Sequence, residues 1–191
     1  LGALLLASSL AGAVAPASAL TPTVVSRIQG TDRYDQAVQV SKANFTTVNT
    51  VYLASGEKFS DALSAGSVAA LHNAPLLLTP SKGLDAGVAA EIKRVLAPGG
   101  KVYVLGGEKA VTPAVLAALK LPAGQIQRIA GDTRYATSVA IAEAMGSPKN
   151  VVIATGKNFP DALAAGPYAA DVFSGRGVGP AAILLTEDSV A

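Results

Sequence analysis

One eleven-residue stretch returns 100 positions later in the chain, and it constrains the fold more than any other feature. Residues 56–66 read GEKFSDALSAG, and residues 156–166 read GKNFPDALAAG. Between residues 51–66 and 151–166, nine of sixteen positions are identical. Self-similarity at a fixed offset is typical of repeat proteins, so the chain is predicted to hold two copies of one structural unit.

The order of segments within each copy predicts the fold class. An apolar run is followed by glycine, a short loop and an alanine-rich segment that opens with aspartate, which predicts strand, loop and helix. Pro160 suits a first helical turn, so the second of these helices is expected to begin there. The alternation predicts strands at residues 24–28, 51–54, 75–79 and 102–105, and helices at 34–44, 61–72 and 84–97. We therefore predict an α/β protein of tandem repeats, each a small parallel sheet with helices on both faces.

The first residues of the chain resemble a signal peptide, and the last residues belong to an incomplete repeat. Residues 1–19 carry no charge and end in Ala17-Ser18-Ala19, which is typical of a secretory signal peptide. Their apolar core is shorter than the roughly 20 residues that span a membrane, so no membrane association is expected after cleavage. Repeat 1 is assigned to residues 23–122 and a truncated repeat 2 to residues 125–191. Repeat 2 stops after its third predicted strand, so we expect an uncovered apolar sheet face and a longer parent protein.

Composition excludes several classes of function. The chain has 15 basic and 13 acidic residues and no basic run interleaved with aromatics, so nucleic acid is not an expected partner. It has no cysteine, and its single histidine is His72, which leaves little for thiolate or histidine metal sites and for catalytic triads. Neither glycine turn spells GxGxxG. We expect no cofactor, no metal and no enzymatic activity.

Seven motifs in a fixed order resemble the cell wall-binding repeat type 2 family. They are RIQGTDRY, SGEKFSDALSAG, APLLLT and VYVLGGEKAVT, then RIAGDTRY, TGKNFPDALAAG and AAILLT. The resemblance implies exported, chiefly Gram-positive proteins whose tandem modules contact one another with pseudo-threefold symmetry. It also implies noncovalent, noncatalytic attachment to an anionic cell-wall polymer, a carbohydrate polymer of the wall. The alternative is a fragment of a peptidoglycan amidase or another exported wall hydrolase whose catalytic domain lies outside this sequence.

Charged residues that recur in both copies are the first candidates for polymer contacts. Arg33 and Arg134 each precede a tyrosine, and a guanidinium group can hold a phosphate or carboxylate through two parallel hydrogen bonds. Each arginine could instead pair with the aspartate of its own repeat, Asp61 or Asp161. Those aspartates could contact the ligand, or could only interact with the positive end of a helix dipole.

Two further pairs of residues are candidates with a structural alternative. Gly56 and Gly156 could present free amide groups to an anion, or could only permit a tight turn. Tyr34 and Tyr135 could stack on a sugar ring, or could pack into the core.

Overall fold

A computed structural model describes residues 27–171 and 181–187, so the predicted signal peptide at residues 1–19 lies outside the described residues. Helices and strands alternate through this part of the chain. The helices are α1 (Arg33–Asn44), α2 (Phe59–Leu71), α3 (Ala86–Val95), α4 (Pro113–Ala118), α5 (Arg134–Ala144) and α6 (Pro160–Asp171). The strands are β1 (Val48–Ser55), β2 (Leu76–Thr79), β3 (Leu96–Leu105), β4 (Ile126–Ile129), β5 (Val151–Thr155) and β6 (Ala182–Thr186).

The strands form two parallel sheets. The first has the order β2-β1-β3-β4, and the second pairs β5 with β6. In the first sheet Leu53 of β1 is in register with Leu77 on one side and Val104 on the other. The predicted α/β class with small parallel sheets is confirmed, and α6 begins at Pro160 as predicted.

Both faces of the first sheet are covered by helices. Side chains alternate across a strand, so Val51 and Leu53 face one core while Tyr52 and Ala54 face the other. The first core packs against α1, α3 and α4, and the second packs against α2 and α5. Val51, Leu53 and Tyr52 are at most 1% exposed, which shows how completely these layers enclose the sheet.

The second sheet is covered differently. On one face Ala154, Ile183 and Leu185 pack against the alanine-rich α6. On the other face, Val151 is 50% exposed and Ile153 is 52% exposed. Their counterparts in the first sheet, Val51 and Leu53, are fully buried. An apolar face is therefore uncovered on β5, whereas the third strand of this copy, β6, is mostly buried.

The boundaries of the sequence repeats and of the sheets do not coincide. Strand β4 opens the second sequence copy, yet it pairs with β3, with Val102 in register with Ile126, and so completes the first sheet. Its predicted counterpart at residues 24–28 lies mostly outside the described residues, and Arg27 and Ile28 are not in a strand. The start of α5, which follows β4, is thereby brought beside the start of α2.

Helices α2 and α6 pack against each other through small residues. A Cβ atom placed on Gly66 would lie 3.8 Å from the Cα atom of Gly166, which is an ordinary van der Waals contact. At the N-terminal ends of the two helices, the rings of Phe59 and Phe159 meet edge to face with centroids 6.0 Å apart.

Candidate functional site

A cleft of about 510 Å³ opens at the carboxyl edge of the first sheet. Three segments line it: residues 58–61 at the start of α2, residues 107–110 after β3, and residues 131–137 at the start of α5. The loops that follow parallel strands meet at this edge, which is where open α/β sheets generally bind ligands. The cleft is therefore the candidate site.

Charges of both signs line the cleft in equal number. Three basic and three acidic side chains contribute to its wall: Lys58, Lys109, Arg134, Asp61, Glu108 and Asp132. All of these except Asp61 are exposed. The site thus presents cationic and anionic groups side by side.

Local structure fixes the segment that carries Arg134. The hydroxyl group of Thr133 caps α5 by accepting a hydrogen bond from the Ala136 amide. The Gly131 amide donates to the Thr137 hydroxyl at 3.0 Å, and a Cβ atom on Gly131 would overlap the helix backbone. A glycine is required at this turn for the chain to approach α5 so closely.

Arg134 contacts residues of both sequence copies, Phe59 in the first and Gly156 in the second. Its Nη1 atom donates to the Gly156 carbonyl at 2.5 Å, and its guanidinium carbon lies 6.0 Å from the centroid of the Phe59 ring. Arg33 makes the equivalent hydrogen bond to the Gly56 carbonyl at 2.5 Å, but it does not line the cleft. The two arginines share a structural role, and only Arg134 adds a position in the cleft.

Asp61 lies at the buried end of the cleft. Its residue is 6% exposed, and among residues 27–171 and 181–187 its carboxylate has no hydrogen bond or ion pair. Burial raises the pKa of Asp61, while the positive charges of Lys58 and Arg134 oppose that change. Asp161, the same residue in the second copy, is exposed in the first turn of α6. Equivalent motifs thus place their aspartates in opposite environments.

Replacing Asp61 with asparagine should leave the free energy of unfolding unchanged or raise it by about 1 kcal/mol at neutral pH, because a buried charge is removed. Since the pKa of Asp61 is raised, its contribution to stability is greatest in acid and is lost as the pH rises through the raised pKa. The advantage of D61N over the wild type should therefore shrink on acidification. Urea unfolding at neutral pH and at about pH 4 measures both quantities.

Asp161→Asn is the matched control for this prediction. Both aspartates lie in the first turn of a helix, so D161N measures the loss of the helix-dipole interaction alone. A loss of stability in D61N larger than that in D161N at neutral pH would contradict the assignment of an unpaired buried carboxylate.

The predicted glycine and tyrosine sites have packing roles. The Gly56 amide already donates to the Thr79 carbonyl at 2.9 Å, and the Gly156 amide donates to the Thr186 carbonyl at 2.8 Å. The prediction that these two amides are free to bind an anion is therefore wrong. A Cβ atom on either glycine would crowd the ring of Tyr34 or Tyr135, and both rings are half-buried against the cores.

Neither arginine forms an ion pair with the aspartate of its own copy among the described residues. The Arg33 and Arg134 Nη1 atoms donate to glycine carbonyls instead. The positive charges that oppose the raised pKa of Asp61 are those of Lys58, in the same copy, and of Arg134, which comes from the second copy.

Sequence reasoning missed four charged residues of the cleft, namely Lys58, Glu108, Lys109 and Asp132. Lys58, Glu108 and Lys109 follow strand-end glycines, so charged residues directly after such a turn were the available signal. Arg128, in β4, donates to the Gly106 carbonyl at 2.5 Å and to the Val111 carbonyl at 2.8 Å. It holds the loop after β3 in place.

The pattern that defines the family Cell wall binding domain 2 (CWB2) matches residues 27–116 and 128–191. The chain belongs to this family. The two matched ranges contain every segment of the cleft, because residues 58–61 and 107–110 fall in the first range and residues 131–137 in the second. Family membership implies binding to cell-wall polymers and indicates a location at the cell wall or cell surface.

Two relatives from one bacterium share this region. The chain is 37% identical over 153 residues to the N-acetylmuramoyl-L-alanine amidase LytC of Bacillus subtilis (strain 168), covering 80% of the chain and 30% of that protein. It is 35% identical over 147 residues to the amidase enhancer of the same strain, covering 77% of the chain and 20% of that protein. The chain therefore spans less than a third of either relative.

Two solved structures share the fold. Cwp8 from Clostridium difficile superposes with a TM-score of 0.75 at 28% identity, covering 86% of the chain and 28% of that protein. Cwp6 from the same organism gives a TM-score of 0.67 at 26% identity, covering 86% of the chain and 25% of that protein.

Two further properties concern the described residues only. No three His, Cys, Asp or Glu side chains among them come together in a group that would hold a metal ion. None of their helices combines the length and the apolar character that crossing a membrane requires.

Proposed function

We propose that this chain attaches an exported protein noncovalently to the bacterial cell wall by binding an anionic wall polymer in the cleft between α2 and α5. The observation that carries the proposal is the position of Lys58, Lys109 and Arg134 around a cleft at the carboxyl edge of a sheet in a CWB2 chain. Basic side chains bind phosphate and carboxylate groups through charge-assisted hydrogen bonds.

The geometry supports a role for neighbouring repeats as partners of one another. The cleft combines the α2 start and the β3–α4 loop with the start of α5, which the sequence assigns to repeat 2. Binding to a repetitive polymer gains strength when several weak sites act together, because the second contact is intramolecular. We therefore propose that repeats work by avidity, with a site completed by the following repeat instead of one within each repeat.

The proposed cellular setting is a Gram-positive envelope. It is supported by the signal-peptide pattern at residues 1–19, which lies outside the described residues, and by the wall-associated relatives. We propose that the matched region is noncatalytic and that any enzymatic activity belongs to other parts of a longer protein. The likeness to an amidase favours the alternative of a wall hydrolase fragment, but the match covers 30% of that enzyme.

Replacing Arg134 with alanine should weaken retention on purified cell walls by about tenfold, the effect of losing one charge-assisted contact. Arg33→Ala should leave retention nearly unchanged, because Arg33 lies outside the cleft. The two substitutions remove equivalent hydrogen bonds to Gly156 and Gly56, so the cost of losing that bond is matched. Co-sedimentation of each variant with walls over a range of salt concentrations measures the difference.

Walls from which acid has extracted the anionic polymers provide the control. The wild type should be retained on intact walls and lost from extracted walls. Equal retention on both preparations would reject an anionic polymer as the ligand, and equal losses in the two arginine variants would reject the cleft as its site.

A further inference from the structure

The cleft holds a mostly buried carboxylate that no other group among the described residues contacts by a hydrogen bond or ion pair. Asp61 is 6% exposed and lines the cleft, and its oxygen Oδ2 lies against Gly106, where a Cβ atom would overlap it. Leaving a buried charge without a partner carries a large desolvation cost. Asp161 avoids this cost because it is exposed. A mostly buried acceptor that lines an open cleft and has no protein partner is a group that a ligand can bind.

Charged groups from all three segments line the cleft together with Asp61. Lys58 precedes α2, Glu108 and Lys109 lie in the loop after β3, and Asp132 and Arg134 lie at the start of α5. None of the basic groups is within ion-pair distance of Asp61 in the described structure. An anionic ligand in this cleft gains attraction from three cations and meets repulsion from three carboxylates.

A ligand with charges of both signs fits this arrangement better than a pure polyanion. A neutral hydroxyl group can donate a hydrogen bond to Asp61 but leaves its negative charge uncompensated. An ammonium group donates hydrogen bonds and compensates the charge as well, and such charge-assisted bonds are about twice as strong as neutral ones. The acidic groups of the cleft also penalise a polymer that has only negative charges, which is a source of specificity.

We infer that the cleft binds a sugar phosphate unit bearing a primary ammonium group, with the phosphate on Lys58, Lys109 and Arg134 and the ammonium on Asp61. This inference rests on the proposed function and names the chemical class of its polymer. The cleft, at about 510 Å³, is within the range of sites that hold small ligands of this size.

Three soluble sugar phosphates test the inference directly. Glucosamine 6-phosphate, N-acetylglucosamine 6-phosphate and glucose 6-phosphate carry the same phosphate, and only the first has a free ammonium group. We expect glucosamine 6-phosphate to bind about tenfold more tightly than the other two. NMR titrations measure each affinity, and the amide signals of Gly107 and Gly131 report whether binding occurs in the cleft.

Asp61→Asn should remove this preference while the affinity for glucose 6-phosphate stays the same or rises. Asp161→Asn, at the exposed copy, should keep the preference. A second experiment uses purified walls whose free amines have been acetylated before the protein is added. Acetylation makes the polymer more negative, so a site for a pure polyanion would bind it more tightly. The inference predicts the opposite, about tenfold weaker retention of the wild type and no loss for D61N.

The outcomes separate the inference from the proposed function. Two results would overturn the ammonium site and leave anion binding in place. One is equal affinity for the three sugar phosphates with unchanged signals outside the cleft. The other is retention on acetylated walls that is not weakened. A different pair of results would overturn the cleft as the polymer site, and the inference with it. In that case none of the three sugar phosphates binds, and Arg134→Ala does not weaken retention on cell walls.

Discussion

Replacing Glu91 with alanine should lower the free energy of unfolding by about 3 kcal/mol and the melting temperature by about 6 to 12 °C. Glu91 is 1% exposed, and it accepts hydrogen bonds from the Ser41 hydroxyl at 2.5 Å and from Arg94 Nε and Nη2 at 2.7 Å. Arg94 also donates to the Phe45 carbonyl at 2.8 Å. The carboxylate therefore ties α3 to the end of α1. Thermal unfolding followed by circular dichroism measures the change.

The pH dependence of the same variant has a defined sign. Burial alone would raise the pKa of Glu91, but the hydrogen bonds from Arg94 and Ser41 outweigh burial and lower it. A lowered pKa contributes stability above the ordinary value of about 4.3, and that contribution is lost as the pH falls through the lower pKa of the folded protein. The stability difference between the wild type and E91A should therefore shrink below about pH 4.

Glu143→Ala is the matched control for Glu91→Ala. Glu143 lies on α5 and is exposed, so its replacement should change stability by less than about 0.5 kcal/mol. Similar small changes in the two variants would show that the hydrogen bonds of Glu91 contribute little to stability. A difference between the wild type and E91A that stays constant on acidification would contradict the hydrogen-bonded carboxylate.

Sequence reasoning predicts those parts of the fold that depend on neighbouring residues. The apolar runs become parallel strands, and Pro160 begins α6 because its ring fits the first turn of a helix. The prediction that α2 begins at Asp61 places its start two residues late, since the helix begins at Phe59. Small errors of this kind arise because helix ends depend on contacts with the adjacent loop.

The burial of equivalent residues in the two copies depends on tertiary position and not on the repeated motif. Val51 is fully buried and Val151 is 50% exposed, although both open the same strand motif. Asp61 is buried and Asp161 is exposed in the same DAL sequence. The difference comes from elements that lie far away in sequence, since α5 and the loop after β3 enclose only the first copy. Comparing the two repeats identifies equivalent residues, but it does not show that their surroundings in the fold differ.

The cleft depends on the pairing of strands β3 and β4, which no local sequence pattern predicts. Strand β4 joins β3, and Arg128 in β4 then binds the carbonyls of Gly106 and Val111. These contacts set the distance between the loop after β3 and the start of α5. Asp61 and Arg134 are both candidates on sequence grounds, but only the fold brings these two residues from different copies to one cleft.

Replacing Gly106 with alanine should cost about 3 kcal/mol of stability and abolish the preference of the cleft for its ligand. Gly106 has a φ of +86°, a left-handed conformation that penalises any residue with a Cβ atom. An added Cβ atom would also overlap Oδ2 of Asp61 and lie 3.0 Å from the Cβ atom of Ala110. The carboxylate must then move, and the Gly106 carbonyl that Arg128 holds moves with it. Urea unfolding and the sugar phosphate titrations measure the two effects.

Gly107→Ala is the control at the adjacent position. Gly107 also lines the cleft, but open space surrounds the place where its Cβ atom would lie, so G107A should cost less than about 0.5 kcal/mol. A double-mutant cycle separates the two causes at Gly106. In an Asp61→Ala background the overlap with the carboxylate is gone, so the cost of G106A should fall to the backbone strain of about 1–2 kcal/mol and the close contact with Ala110. The same cost with and without Asp61 would mean that the carboxylate does not pack against Gly106, and the buried acceptor of the cleft would lose its structural basis.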